Sequence, residues 1–157
     1  MRLRDNNDSE ALRSGYRIVS HELTASSKGG FTMNANSTLA ATACWTAAVR
    51  ARESRREDRL FHDPWAEALA GEQGASWIVQ RPEDSTITMA LRTRYFDDFL
   101  EKISSLDEIR QVVLLAAGFD TRAFRLKWPA GVCIFEMDQP SVMDYKVLPP
   151  SSVATPP

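Results

Sequence analysis

The first half of the folded region shows a helical spacing of apolar residues. Between residues 38 and 56, small apolar side chains recur at every fourth position of an alanine-rich stretch, which predicts a helix. A second helix is predicted to begin at Asp63 and Pro64, because an aspartate caps a helix well and a proline fits its first position. The core-facing residues of this second helix are expected to be Trp65, Leu69, Trp77 and Ile78.

A third helix is predicted from about residue 87 to residue 103, with Asp84 or Ser85 as its cap. Apolar side chains at helical spacing are expected to form its buried face, and charged side chains its solvent face. The predicted buried set is Met89, Leu91, Tyr95, Phe96, Phe99 and Leu100.

The pattern then changes to two short, continuous apolar runs. Residues 111–117 form the first run, which Gly118 closes, and such a run is typical of a central parallel strand that is buried on both faces. Asp120 and Thr121 are placed to cap a short helix that extends to about Lys127. The second run, residues 132–138, ends in acidic residues. A strand, a glycine turn, a helix and a second strand make a βαβ unit, which predicts an α/β fold.

The two ends of the chain lack these patterns. Residues 1–36 are polar and rich in Ser, Asn and Thr, which predicts a flexible arm, and Met33 is a candidate for the native start of the protein. Residues 37–146 form the predicted folded domain. Residues 147–157 contain four prolines, which cannot continue a helix or a central strand and predict a disordered tail.

Composition excludes several classes of protein. The 157 residues are 43% hydrophobic and 25% charged, with a net charge of -2, which argues against collagen-like and membrane proteins and against attraction to nucleic acid. The polar N-terminus lacks a signal peptide, so we expect a cytoplasmic location. Cys44 and Cys133 have no partner at metal-ligand spacing, and we expect buried thiols and no metal site.

The ends of the two apolar runs carry the strongest chemical signal. In doubly wound folds, a glycine turn after one strand and an acid about 20 residues later hold a cofactor and its ribose. Asp138 follows Gly118 by twenty residues, and Glu136 also fits this spacing. A single glycine argues against a dinucleotide and is compatible with a nucleoside cofactor that has no phosphate. The alternative is a glycine that merely ends a strand, followed by acids that solvate the next one.

The third predicted helix carries a second candidate group. Arg94 and Asp98 are four residues apart, so they share a helix face, and a guanidinium suits a carboxylate such as the amino-acid end of a cofactor. The alternative is a surface ion pair that contributes about 0.3–0.5 kcal/mol. His62 is interpreted as a turn residue, and no residue is identified as a catalytic base. Hydrolase and phosphate-loop motifs are absent from the sequence.

Five blocks of the chain resemble, in order, the S-adenosylmethionine-dependent methyltransferases related to leucine carboxyl methyltransferase, especially their actinobacterial branch. The most specific blocks are Gly-Phe-Asp-Thr-Arg at 118–122 and Glu-Met-Asp-Gln-Pro at 136–140. The remaining similarity lies in residues 46–54, 58–66 and 91–98, and it extends the match over about residues 42–146.

The resemblance implies an incomplete class I methyltransferase fold, Rossmann-like, in which N-terminal helices precede the first two parallel strands. It implies S-adenosylmethionine as cofactor, with the turn at Ala117, Gly118 and Asp120 against its methionine part. Asp138, at the end of the second strand, would hold the ribose, and Arg94 would take the cofactor carboxylate. Glu136 is included in the cofactor site on its spacing, as a second acid that either binds the ribose or orients the loop. The implied reaction is methyl transfer from a sulfonium to an oxygen of a small-molecule or carboxylate acceptor.

Members of this family continue for roughly as long again beyond the block at 136–140, so the resemblance predicts a truncated chain. An incomplete sheet leaves a strand edge open and favours self-association. Two alternatives to an active methyltransferase stay open: a non-catalytic remnant or interaction fragment, and a Rossmann-type oxidoreductase, which the lack of further glycines disfavours.

Overall fold

The fold is described from a computed structural model over residues 16–18, 38–82 and 84–147. In these ranges a short strand comes first, three α-helices follow, and a βαβ unit and a last helix come after them. In chain order they are β1 (Tyr16–Ile18), α1 (Thr38–Ser54), α2 (Ala66–Val79), α3 (Ile87–Ser104), β2 (Gln111–Leu115), α4 (Arg122–Arg125), β3 (Cys133–Met137) and α5 (Pro140–Val147). A 3-10 turn, Asp84–Thr86, precedes α3. The other residues of the predicted arm and the predicted tail after residue 147 lie outside the described ranges.

The sheet is parallel, with strand order β1-β3-β2. Gln111 pairs with Cys133 and Leu115 with Met137, so β2 and β3 run in register along their full length. The predicted α/β fold with parallel strands after N-terminal helices is therefore confirmed.

The sheet has three strands rather than the two expected. β1 lies in the segment that the sequence predicted as a flexible arm, and it pairs with β3 from Tyr16↔Ile134 to Ile18↔Glu136. A three-residue strand is too short to show an alternating pattern, and such a strand depends on pairing with a distant neighbour. These three residues of the predicted arm therefore form part of the sheet.

β2 lies at an edge of the sheet, whereas its continuous apolar run predicted a central strand buried on both faces. Val113 and Leu115 are 52% and 72% exposed, while Val112 on the opposite face is buried. Within the described ranges only β3 pairs with β2. β2 therefore has the apolar composition of a central strand, but the described part of the chain covers only one of its faces.

The main core lies where α1 crosses α2. The predicted buried positions Leu69 and Ile78 join Ala43 and Ala47 there, and Trp77 packs against them. The helices approach closely at Gly74, where an added Cβ would lie 2.6 Å from the carbonyl oxygen of Cys44. Phe119 from the loop after β2 is fully buried in the same cluster, so this loop is anchored in the helical core.

The buried face of α3 differs from the predicted one. Among the residues expected to be buried, Leu91, Tyr95, Phe96 and Phe99 are between 40% and 65% exposed. The buried residues of α3 are Ala90, Thr93, Asp97, Leu100 and Ser104. Asp97 is tolerated inside because two arginines from α4 neutralise it, so contacts with α4 determine which face of α3 is buried. α3 begins after Thr86, not at the predicted caps Asp84 or Ser85.

Both cysteines are free thiols, with Cys44 buried and Cys133 partly buried. Burial raises the pKa of the Cys44 thiol, as expected of a small apolar core residue. Among the described residues, no group of three His, Cys, Asp or Glu side chains could hold a metal ion. None of the helices in these ranges has the length and apolar character needed to cross a membrane.

Candidate functional site

The loop that follows β2, residues 116–121, is built on two left-handed backbone positions. Ala116 has a φ of 51° and Gly118 a φ of 55°. Glycine adopts this conformation freely, whereas an alanine there is strained by about 1 kcal/mol or more. A Cβ added at Gly118 would meet only Ala43 among the described residues within 4 Å, at 3.6 Å. The backbone conformation, rather than crowding, therefore requires the glycine, which is itself partly exposed.

Asp138 joins the end of β3 to this loop. Its Oδ2 accepts a hydrogen bond from the Gly118 amide at 2.7 Å, and its Oδ1 accepts one from the Gln139 amide at 2.7 Å. The Ala117 amide donates to the carbonyl oxygen of Met137 at 3.1 Å. Three of the residues proposed from sequence, Ala117, Gly118 and Asp138, thus lie together at the carboxyl ends of two neighbouring parallel strands. In open α/β sheets this is the position where ligands bind.

Asp120 lies on the same loop and is held by Arg122. Its Oδ1 accepts the Arg122 amide at 2.8 Å, and its Oδ2 pairs with the Arg122 guanidinium. Burial by itself raises the pKa of this carboxyl, but the charges of Arg122 and Arg50 and the amide hydrogen bond outweigh it and lower the pKa below its usual value. Asp120 is therefore ionised at neutral pH. Its contribution to stability is present above the ordinary pKa of an aspartate and is lost as the pH falls through the lowered value.

Glu136 has a different environment from Asp138, although both fit the expected spacing. Its side chain is fully buried, and its Oε2 accepts a hydrogen bond from Lys146 Nζ at 2.5 Å. Lys146 belongs to α5, an element that the sequence analysis did not predict. The structure thus places Glu136 in an ion pair between β3 and α5.

Arg94 lies on α3 with half of its side chain exposed. It pairs with Asp98 at 2.8 Å, as the spacing predicted, and its Nη1 donates to the carbonyl oxygen of Leu60 at 2.7 Å. The hydrogen bond and charge of Asp98 raise the pKa of Arg94 above its usual value. The contacts of Arg94 link α3 to the turn before α2, and its predicted role toward a cofactor carboxylate stays a prediction.

Two buried polar groups that support the loop were missed from sequence. The first is centred on Asp97, whose Oδ1 accepts Arg122 Nε at 2.7 Å while Arg125 binds both of its oxygens at 2.6 and 2.7 Å. The helical pattern predicts Asp97 on the solvent face of its helix. The sequence signal for this group is the spacing of Arg122 and Arg125, which lie three residues apart and so share one face of their short helix.

The second group, here called the Asp63 bridge, consists of Arg50, Asp63 and Thr121. Asp63 Oδ2 accepts hydrogen bonds from Arg50 Nε at 2.8 Å and from Thr121 Oγ1 at 2.6 Å. The expected capping role of Asp63 is reduced to one contact, from the Trp65 amide to Oδ1 at 3.2 Å. All three side chains are buried, so the entry to α2 is connected to the loop through the interior.

Comparison with known proteins identifies a family and several relatives that this chain resembles. Residues 43–148 match the family model described as leucine carboxyl methyltransferase. A protein of Saccharopolyspora erythraea named "Putative S-adenosyl-L-methionine-dependent methyltransferase" is 43% identical over 118 residues, which cover 67% of this chain and 39% of that protein. A similarly named protein of Frankia alni is 48% identical over 114 residues, covering 67% of this chain and 40% of that protein.

The matched relatives are much longer than this chain. A Mycolicibacterium smegmatis relative with a similar name is 38% identical over 131 residues, which cover 74% of this chain and 44% of that protein. The chain thus spans about two fifths of the length of the curated relatives it matches. The family match covers most of α1, the helices α2 to α5, both strands of the βαβ unit and the loop between them. The resemblance seen in the sequence is therefore confirmed, and the chain belongs to the leucine carboxyl methyltransferase family.

Proposed function

We propose that this chain binds S-adenosylmethionine at the loop after β2 and supplies the cofactor half of a methyltransferase site. The observation that carries the proposal is the hydrogen bond from the Gly118 amide to Asp138. It brings a left-handed glycine turn and an acid together at the carboxyl ends of β2 and β3. The residues present fit the cofactor, because a carboxylate accepts hydrogen bonds from both ribose hydroxyls and the partly exposed Gly118 has no side chain that would keep a ligand from the backbone.

The chemistry that the bound cofactor supplies is a methyl group on a sulfonium, for transfer to an oxygen of a small-molecule or carboxylate acceptor. Asp138 holds the ribose hydroxyls, and the backbone at Ala117 and Gly118, with Asp120 beside it, lies against the methionine part. Positioning of this kind supplies most of the rate enhancement in a direct group transfer. A carboxylate acceptor needs no general base, and we assign none.

Arg94 is proposed to bind the cofactor carboxylate. Its pair with Asp98 is exposed on both sides, and such pairs contribute about 1 kcal/mol or less, so the guanidinium can exchange one carboxylate for another at small cost. Glu136 stabilises the same end of the sheet through its ion pair with Lys146. Its contact with the ribose, predicted from its spacing, stays part of the proposal.

The proposal is tested by calorimetric titration of the folded chain with S-adenosylmethionine and with adenosine. Asp138→Asn keeps an oxygen that can accept the Gly118 amide but removes the charge that holds the ribose. We expect it to weaken binding of both ligands by about 1–3 kcal/mol, the cost of leaving polar partners unsatisfied. Asp144→Asn, an exposed change on α5, serves as the matched control and should bind as the wild type does.

The same titration assigns Arg94, because adenosine lacks the carboxylate. Arg94→Ala should weaken S-adenosylmethionine binding more than adenosine binding, and equal losses would make Arg94 structural. A folded wild-type chain that binds neither ligand would contradict the proposed function.

A second candidate role, as an interaction fragment, is favoured by the exposure of β2. We infer that the edge of β2 that is unpaired within the described residues pairs with β2 of a second copy across a twofold axis. The backbone groups of the two edges then satisfy each other, and the exposed Val113 and Leu115 of the two copies become cross-strand neighbours. Sedimentation should show a dimer that Leu115→Lys dissociates. Leu106→Lys, at a residue 50% exposed just after α3, should leave the dimer intact. A wild-type chain that stays monomeric at all concentrations would refute this role.

A further inference from the structure

Thr121 stands at the N-cap of α4 but does not cap this helix. An N-cap threonine ordinarily accepts a hydrogen bond from an amide in the first helical turn, and Thr121 makes no such bond. Its hydroxyl donates instead to Asp63 Oδ2 at 2.6 Å, a contact that spans 58 residues of chain. The donor and acceptor residues are 1% and 3% exposed, so water does not compete for this bond.

Asp63 reaches the loop by a second route. The same Oδ2 accepts Arg50 Nε at 2.8 Å, and Arg50 Nη2 donates to the carbonyl oxygen of Phe119. One carboxylate at the entry to α2 thereby fixes a side chain and a main-chain carbonyl of the loop, two residues apart. Asp63 makes no contact with Gly118 or Asp138 among the interactions described, so it acts through its partners.

The loop needs such support. Ala116 and Gly118 both adopt left-handed backbone conformations, and positions of this kind persist when surrounding contacts hold them. α4, which follows, has four residues and is too short to be stable by itself. Asp138 fixes the loop from the sheet side at Gly118, and the Asp63 bridge fixes it from the helical side at Phe119 and Thr121.

We propose that Asp63 is a positioning residue for the loop after β2, and that it acts through Thr121 and Arg50. This inference rests on the proposed function for its ligand, S-adenosylmethionine, but the order of the loop can be measured without any ligand. The bridge keeps residues 118–121 in the conformation that presents the Gly118 backbone and the Asp138 carboxylate together, so binding is not weakened by the need to order the loop.

The decisive comparison is Thr121→Val against Thr121→Ser. Valine has nearly the shape of threonine but no hydroxyl, and it leaves the Arg50–Asp63 ion pair in place. We expect Thr121→Val to bind S-adenosylmethionine about tenfold more weakly, with faster hydrogen exchange at the amides of residues 118–121 and unchanged exchange in α1. Thr121→Ser keeps the donor and should restore both affinity and protection to within about twofold.

Each outcome decides the proposal separately from the proposed function. Equal affinity and equal loop protection in the valine and serine variants would overturn the positioning role. A wild-type chain that does not bind S-adenosylmethionine would refute the proposed function, and the exchange rates would still decide whether the bridge orders the loop. If Thr121→Val does not fold, Thr121→Ala removes the hydroxyl without placing a methyl against Asp63. The same affinity and exchange rates are then compared between Thr121→Ala and Thr121→Ser.

Discussion

Replacing Asp97 by alanine is expected to destabilise the chain by about 3–5 kcal/mol, measured as a loss in the free energy of unfolding by urea. Asp97 is 4% exposed and is the carboxylate to which both Arg122 and Arg125 bind. Removing it leaves the Arg125 guanidinium, which is 5% exposed, without its carboxylate between α3 and α4. Arg122, which is 14% exposed, keeps Asp120 as its only carboxylate partner among the described residues. A small domain is stable by only about 5–15 kcal/mol, so this change removes a large part of its stability.

The adjacent Asp98 provides the matched control. It lies one residue further on the same helix and also pairs with an arginine, Arg94, but both side chains of that pair are about half exposed. Asp98→Ala should therefore cost about 1 kcal/mol or less. Equal losses for the two variants would show that the Asp97 cluster is no more stabilising than a surface pair, and would contradict its role in holding α4.

The contrast between these neighbouring aspartates shows where sequence reasoning fails. Helical periodicity located α3, and the spacing of Arg94 and Asp98 correctly predicted their pair. Periodicity places charged residues on the solvent face, however, and burial of Asp97 depends on arginines that arrive from α4. The energy of a buried ion pair depends on both partners, so the pattern of one helix cannot predict it.

The candidate site was predicted to a similar extent. The glycine that ends β2 and the acid twenty residues later indicated a turn and a strand end that meet, and the structure joins Gly118 to Asp138 directly. The environment of Glu136 was not predictable from spacing, because its partner Lys146 lies on α5. A signal for α5 existed in Pro140, since proline is favoured in the first turn of a helix.

The buried pair of Glu136 and Lys146 leads to the second large effect. Lys146→Met should destabilise the chain by about 3–5 kcal/mol, because it removes the ammonium group that neutralises a fully buried carboxylate. The double variant Glu136→Leu with Lys146→Met replaces both charges by apolar groups of similar size. It should recover most of the stability, since two buried charges that are replaced together leave neither without its partner. Urea unfolding of the wild type, the single variant and the double variant measures both effects.

The double variant also decides between the two roles of Glu136. If it folds and binds S-adenosylmethionine as the wild type does, Glu136 serves the sheet and Asp138 alone holds the ribose. If stability is recovered while affinity falls at least tenfold, the buried ion pair of Glu136 and Lys146 takes part in cofactor binding. A double variant as unstable as Lys146→Met would instead show that the cost lies in the packing of α5 against β3 and not in the loss of the Lys146 ammonium from the Glu136 carboxylate.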